Sequence, residues 1–236
     1  MSNSLNKLPL AVLALCLSAG LALSHGDVAP QPVNTEGLPE LGEDFALENP
    51  FRDPSGEYWD RAVRIGDSAY NQNCARCHGL EVISGGLAPD LRYLAAEDLD
   101  DEWYLERLRN GSGDRMPAFD GVMNQQAMWA IRTYIETRPD PDGIAEYMPR
   151  LREIRDGLRA KQEAIAAGTA TAADYADEIA AIQAELTEIA EAVPTLSGAP
   201  KADSIARRAA IILDTGGDAS LRTADETLTV GLSVAR

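Results

Sequence analysis

The stretch Cys74-Ala75-Arg76-Cys77-His78 decides how the rest of this chain is interpreted. Two thiols three positions apart, followed directly by an imidazole, match the pattern C-x-x-C-H that attaches c-type haem to protein. In this interpretation the two cysteines form thioethers with one porphyrin, and the histidine binds its iron. The motif therefore predicts a single covalent haem c held by Cys74 and Cys77, with His78 as the first axial ligand.

Two other uses of paired cysteines fit the sequence less well. A structural zinc site needs four ligands. The chain has three cysteines and two histidines, and only three of these five residues lie in this cluster. A thioredoxin-like pair follows a β-strand and opens a helix, whereas the residues before Cys74 have a helical pattern. Haem attachment remains the preferred interpretation.

The N-terminus has the pattern of a secretory signal peptide, residues 1–24. Lys7 supplies the positive charge, an apolar run follows, and small residues precede a predicted cleavage site before His25. The run is short for a membrane span, so we expect no stable anchor, with an uncleaved anchor as the alternative. Cleavage would also remove Cys16 and leave one cysteine pair in a periplasmic protein.

Acidic residues outnumber basic ones, with 38 Asp and Glu against 21 Lys and Arg in 236 residues. Because phosphates repel such a surface, we expect no nucleic-acid partner. The same charge favours redox partners that have a basic docking patch. Residues 25–53 are rich in proline and acidic side chains, and they predict an extended arm that packs on the following domain or stays mobile.

Three helices are predicted between residues 54 and 137. Their approximate ranges are 54–73, 97–110 and 124–137, based on apolar spacings of three and four residues. The first helix runs directly into Cys74. A helix followed by C-x-x-C-H resembles the opening of a class I cytochrome c, which implies an all-α fold in residues 54–138 with the last helix crossing the first. Gly66 and Ala69 would then meet the last helix near Trp129 or Tyr134.

The resemblance to class I cytochromes also implies two further site residues. Ala88-Pro89-Asp90-Leu91 resembles the segment whose proline carbonyl accepts a hydrogen bond from the proximal histidine, although Pro89 could also only shape a turn. Met116 lies before a proline in a loop between two helices, where such cytochromes place the sixth ligand. The alternative is a loop methionine that caps the core. Met123 and Met128 are expected to be core residues.

Several longer sequence segments resemble more specifically the cytochrome c-550 family of the PedF type. They include Ser68 to Leu80 around the motif, Pro89-Asp90-Leu91-Arg92-Tyr93-Leu94 and Met116-Pro117-Ala118-Phe119. Membership implies an electron carrier, not an enzyme. It implies electron transfer from a quinoprotein alcohol dehydrogenase, which carries pyrroloquinoline quinone, toward a terminal oxidase or another cytochrome. A haem enzyme or gas sensor with an open distal site is the alternative.

Residues 139–236 depart from that pattern. Apolar residues from Ile144 to Ile165 and from Tyr175 to Val193 repeat as heptad seams, with Thr171 and Asp174 as a capping box between them. We expect an antiparallel helical hairpin, then a helix from Ser204 to Asp214 and a loosely ordered tail. This coiled-coil-like extension would cap the cytochrome, self-associate, or tether it to a larger complex.

Overall fold

The structure is a computed structural model that describes residues 29–94, 99–113 and 115–234. The predicted signal peptide, its cleavage site and His25 lie outside these residues. Within them the fold is all-α, as predicted, with three short 3-10 segments and two isolated β-bridges. The helices are α1 (Trp59–Asn73), α2 (Ala75–His78), α3 (Asp101–Asn110), α4 (Gln125–Glu136), α5 (Pro141–Ala145), α6 (Met148–Ala166), α7 (Ala176–Ala192), α8 (Ile205–Asp214) and α9 (Gly217–Val234).

The buried residues form two separate apolar cores. The first is built around the crossing of α1 and α4, and the second lies among α6 to α9. Gly66 makes the crossing close, because a Cβ placed there would lie 2.0 Å from the carbonyl oxygen of Ala130 and 2.8 Å from Cβ of Tyr134. The prediction that Gly66 meets the last helix near Tyr134 is therefore confirmed.

Helix boundaries follow local capping chemistry. The first helix begins at Trp59 and not at residue 54, because Asp53 accepts hydrogen bonds from the backbone and hydroxyl of Ser55 and stabilises a turn there. Asp100 and Asn124 cap α3 and α4 by accepting from backbone N–H groups in their first turns. The start predicted for the second helix, residues 97 and 98, lies outside the described residues.

The N-terminal arm packs on the first core from residue 29 onward. Leu38 and Phe51 are buried there, and Gln125 of α4 binds the arm's backbone at Gly42 and Ala46. Arg52 joins the end of the arm to both Asp101 (2.6 Å) and Glu136 (2.8 Å). Of the two states expected for the arm, the packed one is observed.

The second core is a four-helix bundle, not a two-helix coiled coil. The predicted antiparallel hairpin exists, since ion pairs between Arg150 and Glu185 and between Lys161 and Glu178 link α6 and α7. Its seams, however, pack against α8 and α9 of the same chain, so most of the heptad residues are buried or half-buried within one molecule. The capping box predicted at Thr171 is present and opens a 3-10 turn before α7.

The expectation of a loosely ordered tail was wrong, because residues 217–234 form α9. Leu221, Ala224 and Leu228 are fully buried against α6 and α8, at spacings of three and four residues. Arg159 of α6 contacts Asp225 at 3.0 Å and Gln162 donates to the backbone oxygen of Leu221, so the two helices run antiparallel. Burial of this apolar face outweighs the poor helix propensity of the glycines at its start.

The two cores meet at a polar junction. Backbone groups of residues 137–140 bond to the segment 194–203, for example Asp203 N–H to Thr137 oxygen at 2.9 Å. The Arg138 side chain is only 1% exposed and contacts the carboxylates of Glu81 (2.6 Å) and Asp203 (2.5 Å). Its guanidinium also lies 4.0 Å from the ring centre of Tyr134.

Candidate haem site

The C-x-x-C-H motif occupies the turn where α1 passes into α2. The N–H of Cys74 bonds to Tyr70 oxygen in α1 (2.7 Å), and those of Cys77 and His78 both bond to Cys74 oxygen. Helical spacing puts the two sulfurs on one face. Cys74 is buried and Cys77 half-buried. Burial, helped by the nearby Cys77, raises the pKa of the Cys74 thiol to about 12.

His78 is oriented by the proline segment. Its Nδ1 lies 2.9 Å from the carbonyl oxygen of Pro89, and a carbonyl can only accept, so Nδ1 is the protonated nitrogen. The other nitrogen, Nε2, is then the one with a lone pair for a metal. The hydroxyl of Tyr70 donates to Gly79 oxygen (2.8 Å) and fixes the residue that follows the imidazole.

The Pro89 carbonyl is itself held in place by its neighbours. The Ser84 hydroxyl donates to Ala88 oxygen and the Ser84 N–H to the Asp90 carboxylate at 3.3 Å. Arg92 donates two hydrogen bonds to the same carboxylate, from Nε at 3.0 Å and from Nη2 at 2.7 Å. Burial alone would raise the pKa of Asp90, but Arg92 lowers it overall. The sequence offered no sign that Ser84 and Arg92 brace this turn.

Met116 is presented by a small closed loop. Ser112 and Met116 exchange two backbone hydrogen bonds, at 3.0 and 3.2 Å, and form an isolated β-bridge. Gly111, with φ of 73°, lets the loop close, because a Cβ there would lie 2.3 Å from Met116 oxygen. Phe119 N–H then bonds back to Leu108 of α3. The half-buried Met116 packs against the same core as Cys74, whereas Met123 and Met128 are buried within it.

The core around these residues fits a haem. Trp129 is fully buried, and its indole N–H makes no hydrogen bond within the described chain. Its ring centre lies 6.2 Å from that of Tyr104, whose own hydroxyl bonds to Met128 oxygen. An unpaired buried donor beside apolar side chains suits a large apolar ring that carries carboxylates. An imidazole, a thioether and two thiols complete the donor set that haem c uses.

Conventional metal sites and membrane spans were not found in the described ranges. No group of three or more His, Cys, Asp or Glu side chains converges there in a way that would hold an ion. None of the helices in those ranges is long and apolar enough to cross a bilayer.

Comparisons with known proteins converge on cytochromes. The family described as cytochrome c oxidase, cbb3-type, subunit III, matches residues 61–135. Cytochrome c550 of Pseudomonas aeruginosa is 51% identical over 132 residues, which cover 54% of this chain and 90% of that protein.

Weaker matches involve two much larger enzymes of Pseudomonas putida. The quinohemoprotein alcohol dehydrogenases ADH IIB and ADH-IIG are 33% and 32% identical over 87 and 78 residues, only 12% and 11% of their own lengths. No solved structure gave a significant match. Because the match to cytochrome c550 has 51% identity and covers 90% of that protein, it establishes the family of this chain. The chain is a member of the cytochrome c550 family, a c-type cytochrome that carries one covalent haem c and transfers electrons.

Proposed function

We propose that Cys74 and Cys77 attach the haem, that His78 Nε2 and the Met116 sulfur bind the iron, and that Pro89 positions the imidazole. The observation that carries this assignment is the 2.9 Å contact between His78 Nδ1 and Pro89 oxygen, next to the cysteine pair. It fixes the tautomer that a proximal histidine needs. The closed Met116 loop beside the same core supports the second ligand.

Haem c supplies an iron that cycles between the ferric and ferrous states. The chain's part is to keep the same two ligands in both states, because little then rearranges when one electron moves. A thioether ligand favours the ferrous state and raises the reduction potential. The buried aromatic side chains of the first core would exclude water from the ring.

We also propose the setting and the partners of this transfer. The signal-peptide pattern of residues 1–24 supports export to the periplasm. Local similarity to two quinohemoprotein alcohol dehydrogenases supports an upstream donor that carries pyrroloquinoline quinone. Electrons would pass onward to a terminal oxidase or another cytochrome. The acidic excess of the chain suits a donor whose docking surface is basic.

The ligand assignment can be tested with a pair of substitutions. Met116→Leu removes the thioether but keeps an apolar side chain of similar size, and Met123→Leu does the same at a buried site in the core. We expect the native protein and Met123→Leu to be low-spin, to ignore carbon monoxide and to show the weak far-red methionine–iron band. Met116→Leu should lose that band and bind carbon monoxide.

Either of two results would overturn the proposal. If the native protein is high-spin or binds carbon monoxide readily, the distal site is open and the haem is catalytic or ligand-sensing. If Met116→Leu keeps the far-red band, another residue is the ligand. The partner is tested separately, by stopped-flow reduction of the full chain with a quinoprotein alcohol dehydrogenase and its alcohol.

A further inference from the structure

The segment directly after His78 has an unusual backbone. Gly79 has φ of 84°, and two non-glycine residues follow in the left-handed region, Glu81 at 54° and Val82 at 65°. Such a conformation is uncommon for any side chain other than glycine and unfavourable for a β-branched one. It persists only when the surroundings hold it, so the contacts of this segment matter.

The Glu81 carboxylate is held from both halves of the molecule. Arg138, at the end of the first half, contacts one oxygen at 2.6 Å. Arg208, on α8 of the helical extension, contacts the other at 3.3 Å. Arg208 is also held by Asp203, just before α8, at 2.7 Å and by Asp67 of α1 at 3.3 Å.

A short path leads from Glu81 to the imidazole. Three residues further on, Ser84 donates its hydroxyl to Ala88 oxygen and its N–H to Asp90, on either side of Pro89. The Pro89 carbonyl between them is the acceptor for His78 Nδ1. Whatever fixes the segment 79–84 therefore also fixes the hydrogen bond that orients the proposed iron ligand.

We propose that the helical extension positions the proximal side of the haem site through the contact of Arg208 with Glu81. In this role Arg208 and Glu81 are positioning residues that act through Ser84 and the Pro89 carbonyl. The proposal rests on the ligand assignment made above for His78. It gives residues 139–236 an intramolecular task in addition to any contact with partners.

The direction of the effect follows from ligand chemistry. A strong hydrogen bond at Nδ1 makes Nε2 a better electron donor and stabilises ferric iron. Loss of the Arg208 contact should loosen the 79–84 segment, weaken the bond to Pro89 and raise the reduction potential. The charge of Arg208 itself acts in the opposite way, because removing a cation favours ferric iron and lowers the potential. A rise therefore cannot come from charge loss alone.

The matched test compares Arg208→Gln with Arg207→Gln in the full haem-loaded chain. The two arginines are neighbours on α8, but Arg207 contacts Asp60 and the ring of Trp59, not Glu81. At a fixed poise near the midpoint, we expect Arg208→Gln to increase the ratio of reduced to oxidised protein at least threefold. That is about 28 mV, since tenfold is 59 mV for one electron. Arg207→Gln should change the ratio less than 1.5-fold.

A second variant and a second measurement keep the test decisive. Glu81→Gln cuts the same contact from the other side, together with the contact of Arg138. Because loss of the Glu81 anion raises the potential by itself, this variant is compared with the native protein by proton exchange at His78 Nδ1, which should be faster. The His78 Nδ1 proton of the reduced protein should exchange with solvent faster in Arg208→Gln than in Arg207→Gln. If both arginine variants keep the native potential and exchange rate, the extension does not position the haem site. If the native protein lacks the low-spin spectrum, the ligand assignment itself has failed instead.

Discussion

Substitution of Gly66 by alanine tests whether the crossing of α1 and α4 is as close as the structure requires. The new Cβ would lie 2.0 Å from Ala130 oxygen and 2.8 Å from Tyr134 Cβ, where ordinary contact begins at 3.4 Å. The first obstacle is a backbone atom that no rotamer change can move, so the helices would have to separate by about 1 Å. Overpacking of this kind costs ~1–3 kcal/mol, and occasionally more.

A second glycine in a helix provides the control. Gly157 lies within α6, and a Cβ there would meet nothing within 4 Å. Gly157→Ala should therefore stabilise by about 0.5–1 kcal/mol through helix propensity alone. The same gain applies at Gly66, but the 2.0 Å approach to a backbone oxygen puts the overpacking cost at the upper end of its range, ~3 kcal/mol, so the net destabilisation is expected to be about 2 kcal/mol.

The assay is urea unfolding of the haem-loaded protein, followed both by haem absorbance and by far-ultraviolet circular dichroism. Haem absorbance reports on the first core, and the dichroism reports on both. We expect the haem transition of Gly66→Ala to move to lower urea, and that of Gly157→Ala to stay unchanged or move slightly higher. A Gly66→Ala protein as stable as the native one would show that the two helices do not cross at this residue.

Four further outcomes are expected. Arg138→Gln should destabilise by about 1.5–3 kcal/mol in thermal unfolding, because the buried Asp203 carboxylate then keeps only one of its two arginines, Arg208. Burial would raise the pKa of Asp203, but Arg138 and a second arginine hold it below the usual value. This stabilisation is complete above the unfolded-state pKa of about 3.9 and is lost as the pH falls through the lower folded value, so Asp203→Asn should flatten the acid limb of a stability–pH profile. Leu228→Ala should cost about 2–5 kcal/mol in urea unfolding if α9 is packed, and almost nothing if the tail is loose. Gly111→Ala should weaken the far-red methionine–iron band while Met116 itself is unchanged, because the new Cβ would collide with the backbone of its loop.

Much of the first half follows from local sequence. The C-x-x-C-H motif at Cys74 predicts covalent haem, because attachment of the porphyrin through two thioethers uses cysteines at this spacing. The crossing at Gly66 follows from helical periodicity together with one small residue. Caps such as Asn124 are equally local, since the side chain and its backbone partner lie within one turn.

The prediction of a loosely ordered tail is wrong because two glycines interrupt a helical pattern of apolar residues. Leu221, Ala224, Leu228 and Leu232 follow helical spacing, but Gly216 and Gly217, both with positive φ, suggested that regular structure had ended. They form the turn between two antiparallel helices. The heptad seams left their partner open, because such a seam cannot reveal whether its partner lies on another molecule or further along the same chain.

The junction could not be predicted from the sequence at all. Arg138 meets Glu81, which lies 57 positions earlier, and Asp203, which lies 65 positions later. Charged residues at such separations are usually solvated, and nothing local marks these as buried. Only the packing of both cores reveals which carboxylates face the arginine.

The chemistry of this junction bears on what the extension does. Buried ion pairs offset much of their own attraction by desolvation, so they are a weak source of stability. Arginine–carboxylate pairs nevertheless require a specific geometry of the two groups. About half of this chain aligns with 90% of its cytochrome c550 relative, so that relative has no counterpart of similar length to the other half. An apolar interface would have been the simpler way to add stability. The charged interface that is observed includes Glu81, three residues after the proposed iron ligand His78. It therefore ties the position of the bundle to that of the ligand, as expected if the extension positions the haem site.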